Sequence, residues 1–440
     1  MTTKTVTIPH LGRVEGHGGI RVTLADTRVT DVNMDIHEGS RYYEKLLVGK
    51  NFRDVQGIIT RVCAICSADH TVAALAALES ALGVHVDERT SVLRGLLLRG
   101  AAIESHALHV FALALPDFLG FDSVMSMAER FPDEVAFALR LKQLGNSIQS
   151  IVGGRAVHPI NTLVGGFGKL PPHRTIEELR RELTQAMDPL LGAVEMAASI
   201  DVPEWAARRT LFMALRPAGS NFGFRGDVIC TSDGAEYDVG AYRDTIREFT
   251  VEHSHARHAA LDTGETYMVG SLARLKLWGD RLGGAAAKTR DVLFPDGVVD
   301  NVLLNTRAQL VETVYSVESA IQFCDSYLAL DEVEAELQQV EERAGTGIGA
   351  IEAPRGTLFH EYELDGDGTV TAANVVTPTA QNLANIECDL RNSGDRLQME
   401  GAVPDAQLKR GFEMIARAYD PCISCSVHVA RVNHRDDDEP

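Results

Sequence analysis

Apolar and polar side chains alternate along the first part of the chain, over residues 4–36, around turns that contain glycine and aspartate. A period of two residues predicts short antiparallel strands. From about residue 41 to 200 the apolar positions recur at helical spacing instead, in segments long enough for several turns. The chain is therefore expected to begin with a small β region and to continue with a helical centre.

The rest of the chain changes between the two patterns. The expected elements are a short strand region at 205–240, helical segments at 273–292 and 306–345, a hairpin at 356–376 that turns at residues 366–368, and a last helix at 404–419. No Pro/Ser-rich linker or repeat divides the sequence, so one domain over residues 1–440 is expected. The predicted fold class is mainly α with small antiparallel β regions (α+β).

Composition excludes some classes of function. The chain has 440 residues, of which 45% are hydrophobic and 24% charged, as in an ordinary globular protein. Its formal charge of −20 would repel nucleic-acid phosphates, so no nucleic-acid partner is expected. No uninterrupted run of roughly 18 to 20 apolar residues indicates a membrane span, and the N-terminus lacks the order of a signal peptide. We expect a cytoplasmic protein.

Two CxxC pairs carry the most specific chemistry in the sequence. Cys63 and Cys66 form one pair, and Cys422 and Cys425 form the other. This spacing lets both thiolates of a pair approach one metal ion, at about 2.3 Å from each sulfur. Four soft ligands suit zinc, an iron–sulfur cluster or another thiophilic transition metal. Because zinc ribbons and ferredoxin sites gather their cysteines locally, pairs near opposite ends of the chain disfavour structural zinc and indicate a site deep in the fold.

Other candidate metal ligands are weaker. Three cysteines stand alone and are interpreted as ordinary buried thiols: Cys230, Cys324 and Cys388. The histidines at 253, 255 and 258 form a local cluster, but this spacing would scatter them around a helix. They are not expected to bind a metal together.

The residues that flank the two cysteine pairs form longer motifs. The sequence RVCAIC at 61–66 is followed by His70, and DPCISC at 420–425 is followed by His428. Together they resemble the two signature motifs of nickel-iron hydrogenase large subunits. Four further segments agree in order and spacing: RVEGH at 13–17, RYYE at 41–44, EAPRG at 352–356 and TPT at 377–379. The resemblance spans nearly the whole chain and implies the large-subunit fold of that family, around a central helix bundle.

The resemblance also implies an activity and a metal centre. The enzyme would cleave hydrogen heterolytically and reversibly to protons and electrons. Cys63 and Cys422 would be terminal nickel ligands, while Cys66 and Cys425 would bridge nickel to an iron that carries one carbonyl and two cyanide ligands. A terminal thiolate such as that of Cys422, or a nearby base, would accept the proton.

Further residues match functional positions of the family. Arg355 would lie over the metals as a permanent cation, and Glu15 would carry protons between Cys422 and the solvent. The residues implied as magnesium ligands are Glu44, His428 and the main-chain carbonyl of Asn374. The residues implied around the nickel and iron ligands are His70, Asp420 and Thr379, or Thr377 in place of Thr379.

The resemblance implies partners as well. The chain has no further cysteine groups for electron transfer, so an iron–sulfur small subunit is expected, followed in the electron path by flavin- and NAD(P)-binding subunits. Residues 429–440 extend beyond the histidine that ends the mature chain in this family, which implies a maturation protease and a nickel chaperone. Ser105, where respiratory members have aspartate, and the short chain favour the soluble, cofactor-coupled branch. The alternatives are a hydrogen-sensing subunit, or coupling to a deazaflavin, a heterodisulfide or sulfur.

Overall fold

The computed structural model describes residues 3–40, 42–399 and 403–427, and the expectations for His428 and for residues 429–440 lie outside them. The strands are β1 (Thr3–Ile8), β2 (Gly18–Ala25), β3 (Arg28–Ile36), β4 (Thr162–Leu163), β5 (Gly166–Phe167), β6 (Leu211–Leu215), β7 (Val228–Thr231), β8 (Glu236–Asp238), β9 (Ile246–Val251), β10 (Ser254–Leu261), β11 (Tyr267–Met268), β12 (Gly345–Ala353), β13 (Gly356–Leu364) and β14 (Val370–Val376). The helices are α1 (Tyr43–Leu47), α2 (Phe52–Ile59), α3 (Ser67–Leu82), α4 (Glu88–Ala107), α5 (Leu115–Leu119), α6 (Val124–Ala128), α7 (Pro132–Gly153), α8 (His173–Ala198), α9 (Tyr242–Thr245), α10 (Ser271–Trp278), α11 (Gly284–Leu293), α12 (Asn305–Leu328), α13 (Pro378–Met399), α14 (Asp405–Ala418) and α15 (Ile423–Ser426).

The strands form small sheets, as predicted. β1, β2 and β3 form an antiparallel meander in which Val22 pairs with Val6 on one side and Val32 on the other. The expected strand region at 205–240 supplies β6, β7 and β8, which join β11 in a four-stranded sheet. The expected hairpin at 356–376 is β13–β14. The predicted α+β class is therefore confirmed.

Long helices form the centre of the molecule. α4 packs against α7 on one side and α12 on the other, and α12 also packs against α8. α4 continues through a π-helical turn, Leu108–Ala114, into α5. Within the described residues this continuous helix, Glu88–Leu119, is the one that could cross a membrane by length and composition, but 83% of its most apolar window is buried inside the protein. It is a core helix of this fold.

Two helical predictions were wrong in extent. The segment expected at 306–345 ends as a helix at Leu328, and residues 331–344 have no regular secondary structure. This stretch is rich in glutamate and lacks a buried stripe, since Val333 is 50% and Leu337 43% exposed, so nothing stabilises a helix there. The segment expected at 273–292 is two helices, α10 and α11, separated by a short turn at residues 279–283.

Two elements next to the cysteines were not predicted, namely β12 and α13. In β12, alternate glycines face the backbone of α3, and a Cβ at Gly347 would lie 2.1 Å from the Ala77 carbonyl oxygen. Glycine therefore permits the contact between strand and helix, although its low strand propensity hides the strand in the sequence. Because α3 begins directly after Cys66, this close packing also fixes the first cysteine pair.

Candidate metal centre

The four cysteines of the two CxxC pairs meet in the interior. Cys63 and Cys66 lie in the turn between α2 and α3, and Cys422 and Cys425 lie at α15. The sulfur of Cys63 is 3.3 Å from that of Cys422, and the sulfur of Cys66 is 3.2 Å from that of Cys425. All four are free thiols and are at most 7% exposed. The structure thus brings together the two pairs that the sequence separates.

The thiol cluster fits a thiophilic metal centre. Burial raises the pKa of Cys66 to about 11 and raises the pKa of Cys422 and Cys425 well above the ordinary value. Hydrogen bonds from Cys422 and the other thiols lower the pKa of Cys63, so one thiolate is favoured. Four buried thiolates need a cation to offset their charge, and binding one displaces the remaining protons. Soft sulfur donors suit nickel and iron.

Glu15 joins the N-terminal region to the second cysteine pair. It forms an isolated parallel β-bridge with Cys422, and the Ile423 amide donates to its carbonyl oxygen at 3.0 Å. The Cys422 thiol lies 3.2 Å from the Glu15 carboxylate, which also accepts hydrogen bonds from the amide and hydroxyl of Ser424. Gly16 has φ +86° and approaches α15 so closely that a Cβ would lie 2.7 Å from the Ile423 Cβ. The motif glycine therefore permits the contact that positions Glu15.

Arg355 lies against the residue that precedes the second cysteine motif. Its Nε donates to the Asp420 carbonyl oxygen at 2.7 Å, and one Nη donates to the Asp420 carboxylate at 3.0 Å. Burial would lower the pKa of Arg355, but Asp420 and the thiols of Cys422, Cys66 and Cys63 raise it well above its ordinary value. The other Nη atom is buried and has no hydrogen-bond partner within the described part of the chain. The guanidinium thus stays charged and retains a donor for a ligand.

A buried ionic network that the sequence analysis missed holds the Arg355 segment in place. Arg274, from α10, donates to the carboxylates of Glu312 and Glu352 and to the carbonyl oxygens of Ala353 and Pro354. Although burial opposes ionisation, Arg274 and His106 lower the pKa of Glu312 to about 2. The sequence did contain a signal, because Arg274 and Glu312 interrupt apolar stretches of helices. Charged residues at such positions are more often on the surface.

The residues that the resemblance places around the nickel and iron ligands lie near the thiols. His70 and Thr379 line a small cavity together with Cys66, Cys422 and Cys425. His70 Nδ1 lies 3.0 Å from His360 Nε2, and Thr379 Oγ1 accepts a hydrogen bond from the Cys422 amide at 2.9 Å.

Two further residues, Thr377 and Asp69, are the chain neighbours of Pro378 and His70, which line this cavity. Thr377, the alternative to Thr379, has a buried hydroxyl without a hydrogen-bond partner among the described residues. Asp69 was missed: it precedes His70 in α3, and burial raises its pKa to about 8. A carboxyl with this pKa is largely protonated at neutral pH, so it adds little negative charge beside the thiols.

The residues implied for magnesium are partly brought together. The Glu44 carboxylate accepts a hydrogen bond from the Val375 amide at 2.9 Å, and the Asn374 carbonyl of the same trans peptide unit points the opposite way. Arg257 approaches the same carboxylate at 3.4 Å. Burial raises the pKa of Glu44, and Arg257 opposes that shift. The Asn374 side chain points to another partner, since its amide donates to the Tyr242 hydroxyl at 2.8 Å. His428 lies outside the described residues.

The lone cysteines do not belong to this cluster. Cys230 lies in β7, Cys324 in α12 and Cys388 in α13. Cys230 contacts Arg216, and Cys388 lies 3.7 Å from the Thr266 hydroxyl. Cys324 is fully buried, and burial raises its pKa to about 12. Cys230 and Cys324 are thus buried thiols as predicted, whereas Cys388 is only partly buried and that prediction was wrong.

The ionic network generates a prediction about stability and pH. Replacing Glu312 by Gln leaves part of the Arg274 charge unpaired and should destabilise the protein by about 3 kcal/mol at neutral pH. Because the pKa of Glu312 is lowered from 4.5 to about 2, its contribution is complete above pH 4.5 and is lost as the pH falls from 4.5 towards 2. The difference in thermal midpoint between wild type and Glu312→Gln should therefore be constant between about pH 7 and about pH 5. Below that range the difference should become smaller.

A control variant lies on the same helix. Asp325→Asn removes a half-exposed carboxylate that pairs with Arg180, and such surface pairs contribute about 0 to 1 kcal/mol. Equal midpoints for the two variants at neutral pH would contradict a stabilising role for the network.

Comparisons with known proteins agree with this geometry. The family model described as nickel-dependent hydrogenase matches residues 41–139 and 299–428, which include both cysteine pairs. The alpha subunit of sulfhydrogenase 1 from Pyrococcus furiosus is 38% identical over 97% of this chain and 98% of its own length. The alpha subunit of sulfhydrogenase 2 from the same organism is 35% identical over 96% of this chain and 98% of its own length.

Solved structures share the same fold. An NAD+-reducing NiFe hydrogenase in its hydrogen-reduced state superposes with a TM-score of 0.86 at 27% identity, covering 97% of this chain and 99% of that one. A Ni-Fe-Se hydrogenase from D. vulgaris Hildenborough superposes with a TM-score of 0.79 over 97% of this chain and 100% of its own, at 20% identity, which supports the fold alone. With four converging thiols and relatives matched along almost their full length, this chain belongs to the nickel-dependent hydrogenase family as a catalytic large subunit that acts on hydrogen.

Proposed function

We propose that this chain cleaves hydrogen heterolytically and reversibly at a nickel–iron centre held by Cys63, Cys66, Cys422 and Cys425. The observation that carries the proposal is the buried cluster of four thiols, whose sulfurs all lie within 4.8 Å of one another. Cys63 and Cys422 would be terminal nickel ligands, and Cys66 and Cys425 would bridge to an iron with one carbonyl and two cyanide ligands. When bound, the metals would act as Lewis acids that polarise hydrogen.

Protons would leave the centre through Glu15. The Cys422 thiol and the Glu15 carboxylate are within hydrogen-bond distance, and the amide and hydroxyl of Ser424 keep the carboxylate in place. Glu15 is only partly buried, so it can exchange a proton between a buried sulfur and the more exposed side of the chain. The contacts of its carboxylate with the thiol and with the Ser424 hydroxyl would provide a first step of proton transfer.

Arg355 and Thr379 would shape the ligand pocket. Asp420 orients the guanidinium, which leaves one buried Nη donor available for a bound cyanide. The charge of Arg355 would stabilise negative charge that develops in the pocket during heterolysis. Thr379 fixes the Cys422 backbone through its hydroxyl, and His70 lines the same cavity. Arg355, Thr379 and His70 would therefore orient and polarise the groups bound in the pocket, while the four thiols would bind the metals.

A magnesium ion would lie at Glu44. A carboxylate and a main-chain carbonyl, here that of Asn374, suit a hard divalent cation. His428 would complete the protein ligands, and residues 429–440 would be removed by a maturation protease after nickel insertion by a chaperone. The buried carboxylate of Glu44 supports this proposal, because its contact with Arg257, at 3.4 Å, is long for an ion pair.

The electrons would pass to an iron–sulfur small subunit in the cytoplasm and then, through flavin-containing subunits, to NAD or NADP. Support comes from the similarity to an NAD+-reducing hydrogenase along 97% of this chain. Ser105 agrees with this branch, because its buried hydroxyl occupies a position beside His106 that is charged in respiratory members. A second candidate acceptor is sulfur, which the name of the 38% identical relative suggests.

The metal centre is tested by metal analysis and infrared spectroscopy of the matured complex. We expect nickel and iron together, with the absorption bands of metal-bound carbonyl and cyanide. Cys425→Ala should lose nickel and these bands because it removes a shared ligand, whereas Cys324→Ala should keep both because Cys324 is a buried thiol elsewhere. Zinc without such bands in the mature wild-type complex would refute the proposal.

The proton path is tested with Glu15→Gln. The amide keeps the size of the side chain and an acceptor for the Ser424 amide, but it cannot carry a proton as a carboxyl does. We expect hydrogen oxidation to fall by about 100-fold or more, as for the loss of a general base, with the nickel content and infrared bands unchanged. Glu15→Asp should recover part of the activity. Wild-type turnover in Glu15→Gln would show that protons take another route.

The acceptor is tested by supplying hydrogen to the purified complex with NAD+, NADP+ or sulfur as the oxidant. We expect hydrogen-dependent reduction of a nicotinamide. A redox dye serves as the control, because it reports hydrogen cleavage whatever the natural acceptor. Dye reduction together with sulfur reduction, and no nicotinamide reduction, would replace the NAD(P) proposal and leave the hydrogenase site intact.

A further inference from the structure

A second cluster of metal-binding side chains lies apart from the cysteines. His253, His258 and Glu387 each offer a ligand atom, and these atoms all lie within 4.8 Å of one another. The Glu387 carboxylate is 2.8 Å from His253 Nε2 and 3.5 Å from His258 Nε2. The activity proposed above uses none of these three residues.

The backbone brings these residues together in a way that the sequence spacing conceals. The segment is the β9–β10 hairpin and not a helix, and His253 lies in its turn. In a regular strand, residues five apart point to opposite faces. A bulge between Ser254 and His258 breaks this alternation, as bulges do when they redirect a side chain. Both imidazoles therefore reach Glu387 on α13.

The cluster has the properties of a ligand set. His258 is 1% exposed; within the described residues its Nδ1 has no hydrogen-bond partner, and its Nε2 has only the long contact of 3.5 Å with Glu387. A buried imidazole without a hydrogen bond is unfavourable unless another partner takes its place. The Met34 amide, from β3, donates to Glu387 at 2.9 Å and orients the carboxylate.

We propose that His253, His258 and Glu387 bind one divalent transition-metal ion, with zinc as the preferred ion. Two imidazole nitrogens and one carboxylate oxygen form a common zinc ligand set, whereas magnesium and calcium prefer oxygen ligands alone. The side chains of His253 and Glu387 are 19% and 20% exposed, so water can supply the fourth ligand.

The ion would link two elements of the fold directly, and a third through the Met34 amide that donates to Glu387. Glu387 belongs to α13, the histidines to the β9–β10 hairpin, and Met34 to β3. α13 begins at Pro378 and carries Thr379, which holds the Cys422 backbone. The zinc ion would therefore stabilise, from a distance, the helix that supports the second cysteine pair. The zinc ion would take no part in the proposed hydrogen cleavage, because its ligands are separate from the four thiols.

The alternative is a hydrogen-bonded cluster without a metal, in which the imidazoles share the negative charge of Glu387. The two interpretations differ in zinc content and affinity. The chain also offers a matched control, His255, which lies on the same hairpin but contacts the Glu38 carbonyl oxygen at 3.1 Å. Replacing His255 changes a histidine of this segment without changing the ligand set.

The experiment measures zinc bound by the complete purified complex after treatment with a chelator and equilibration with zinc ions. Wild type and His255→Ala should retain one zinc more per complex than His253→Ala and Glu387→Gln. The affinity for that zinc should fall about 100-fold or more in the two ligand variants, because even the outer partners of metal ligands contribute about 10- to 100-fold. Any zinc bound by other subunits is the same in all samples and cancels.

Anomalous diffraction provides a second readout that does not depend on a variant folding well. Crystals of the zinc-equilibrated wild-type complex should show a peak between His253, His258 and Glu387 above the zinc absorption edge that disappears below it. Equal zinc content in wild type and Glu387→Gln, or no anomalous peak at this position in zinc-saturated crystals, would overturn the proposal.

Discussion

The contact between Arg355 and Asp420 joins the two halves of the metal centre. The guanidinium binds the carbonyl and carboxylate of the residue two positions before Cys422, and its charge also acts on Cys63 and Cys66. Arg355 is in turn held by Arg274, which binds the carbonyl oxygens just before it and two buried carboxylates. A chain of buried ionic contacts thus extends from α10 and α12 to the thiols, and each charge in it has a partner.

The sequence was sufficient to identify the four cysteines that converge, but not the residues that hold them in place. Cys63, Cys66, Cys422 and Cys425 stand in short local motifs, and the structure brings them together as predicted. Glu15 also followed from its motif. Arg274, Glu312 and Asp69 could not be identified in this way, because their importance comes from contacts between residues far apart in sequence. Single charged residues within apolar helices carry no local sign of such partners.

The errors in secondary structure have similar physical causes. β12 was missed because its glycines have low strand propensity, and only the close approach to α3 explains them. Residues 331–344 were predicted as the end of a long helix, but that segment has no apolar stripe to pack against the core. The bulge in β10 brings the side chains of His253 and His258 together. A bulge cannot be predicted from the periodicity of the sequence.

The β-bridge between Glu15 and Cys422 has a consequence for biosynthesis. Domains begin to fold during translation from the N-terminus, and Glu15, Cys63 and Cys66 are made long before Cys422 and Cys425. Until Cys422 and Cys425 have been made, only two thiols and a carboxylate without its bridge partner are present. The four-thiol site can therefore form only late, when α15 is placed against Gly16.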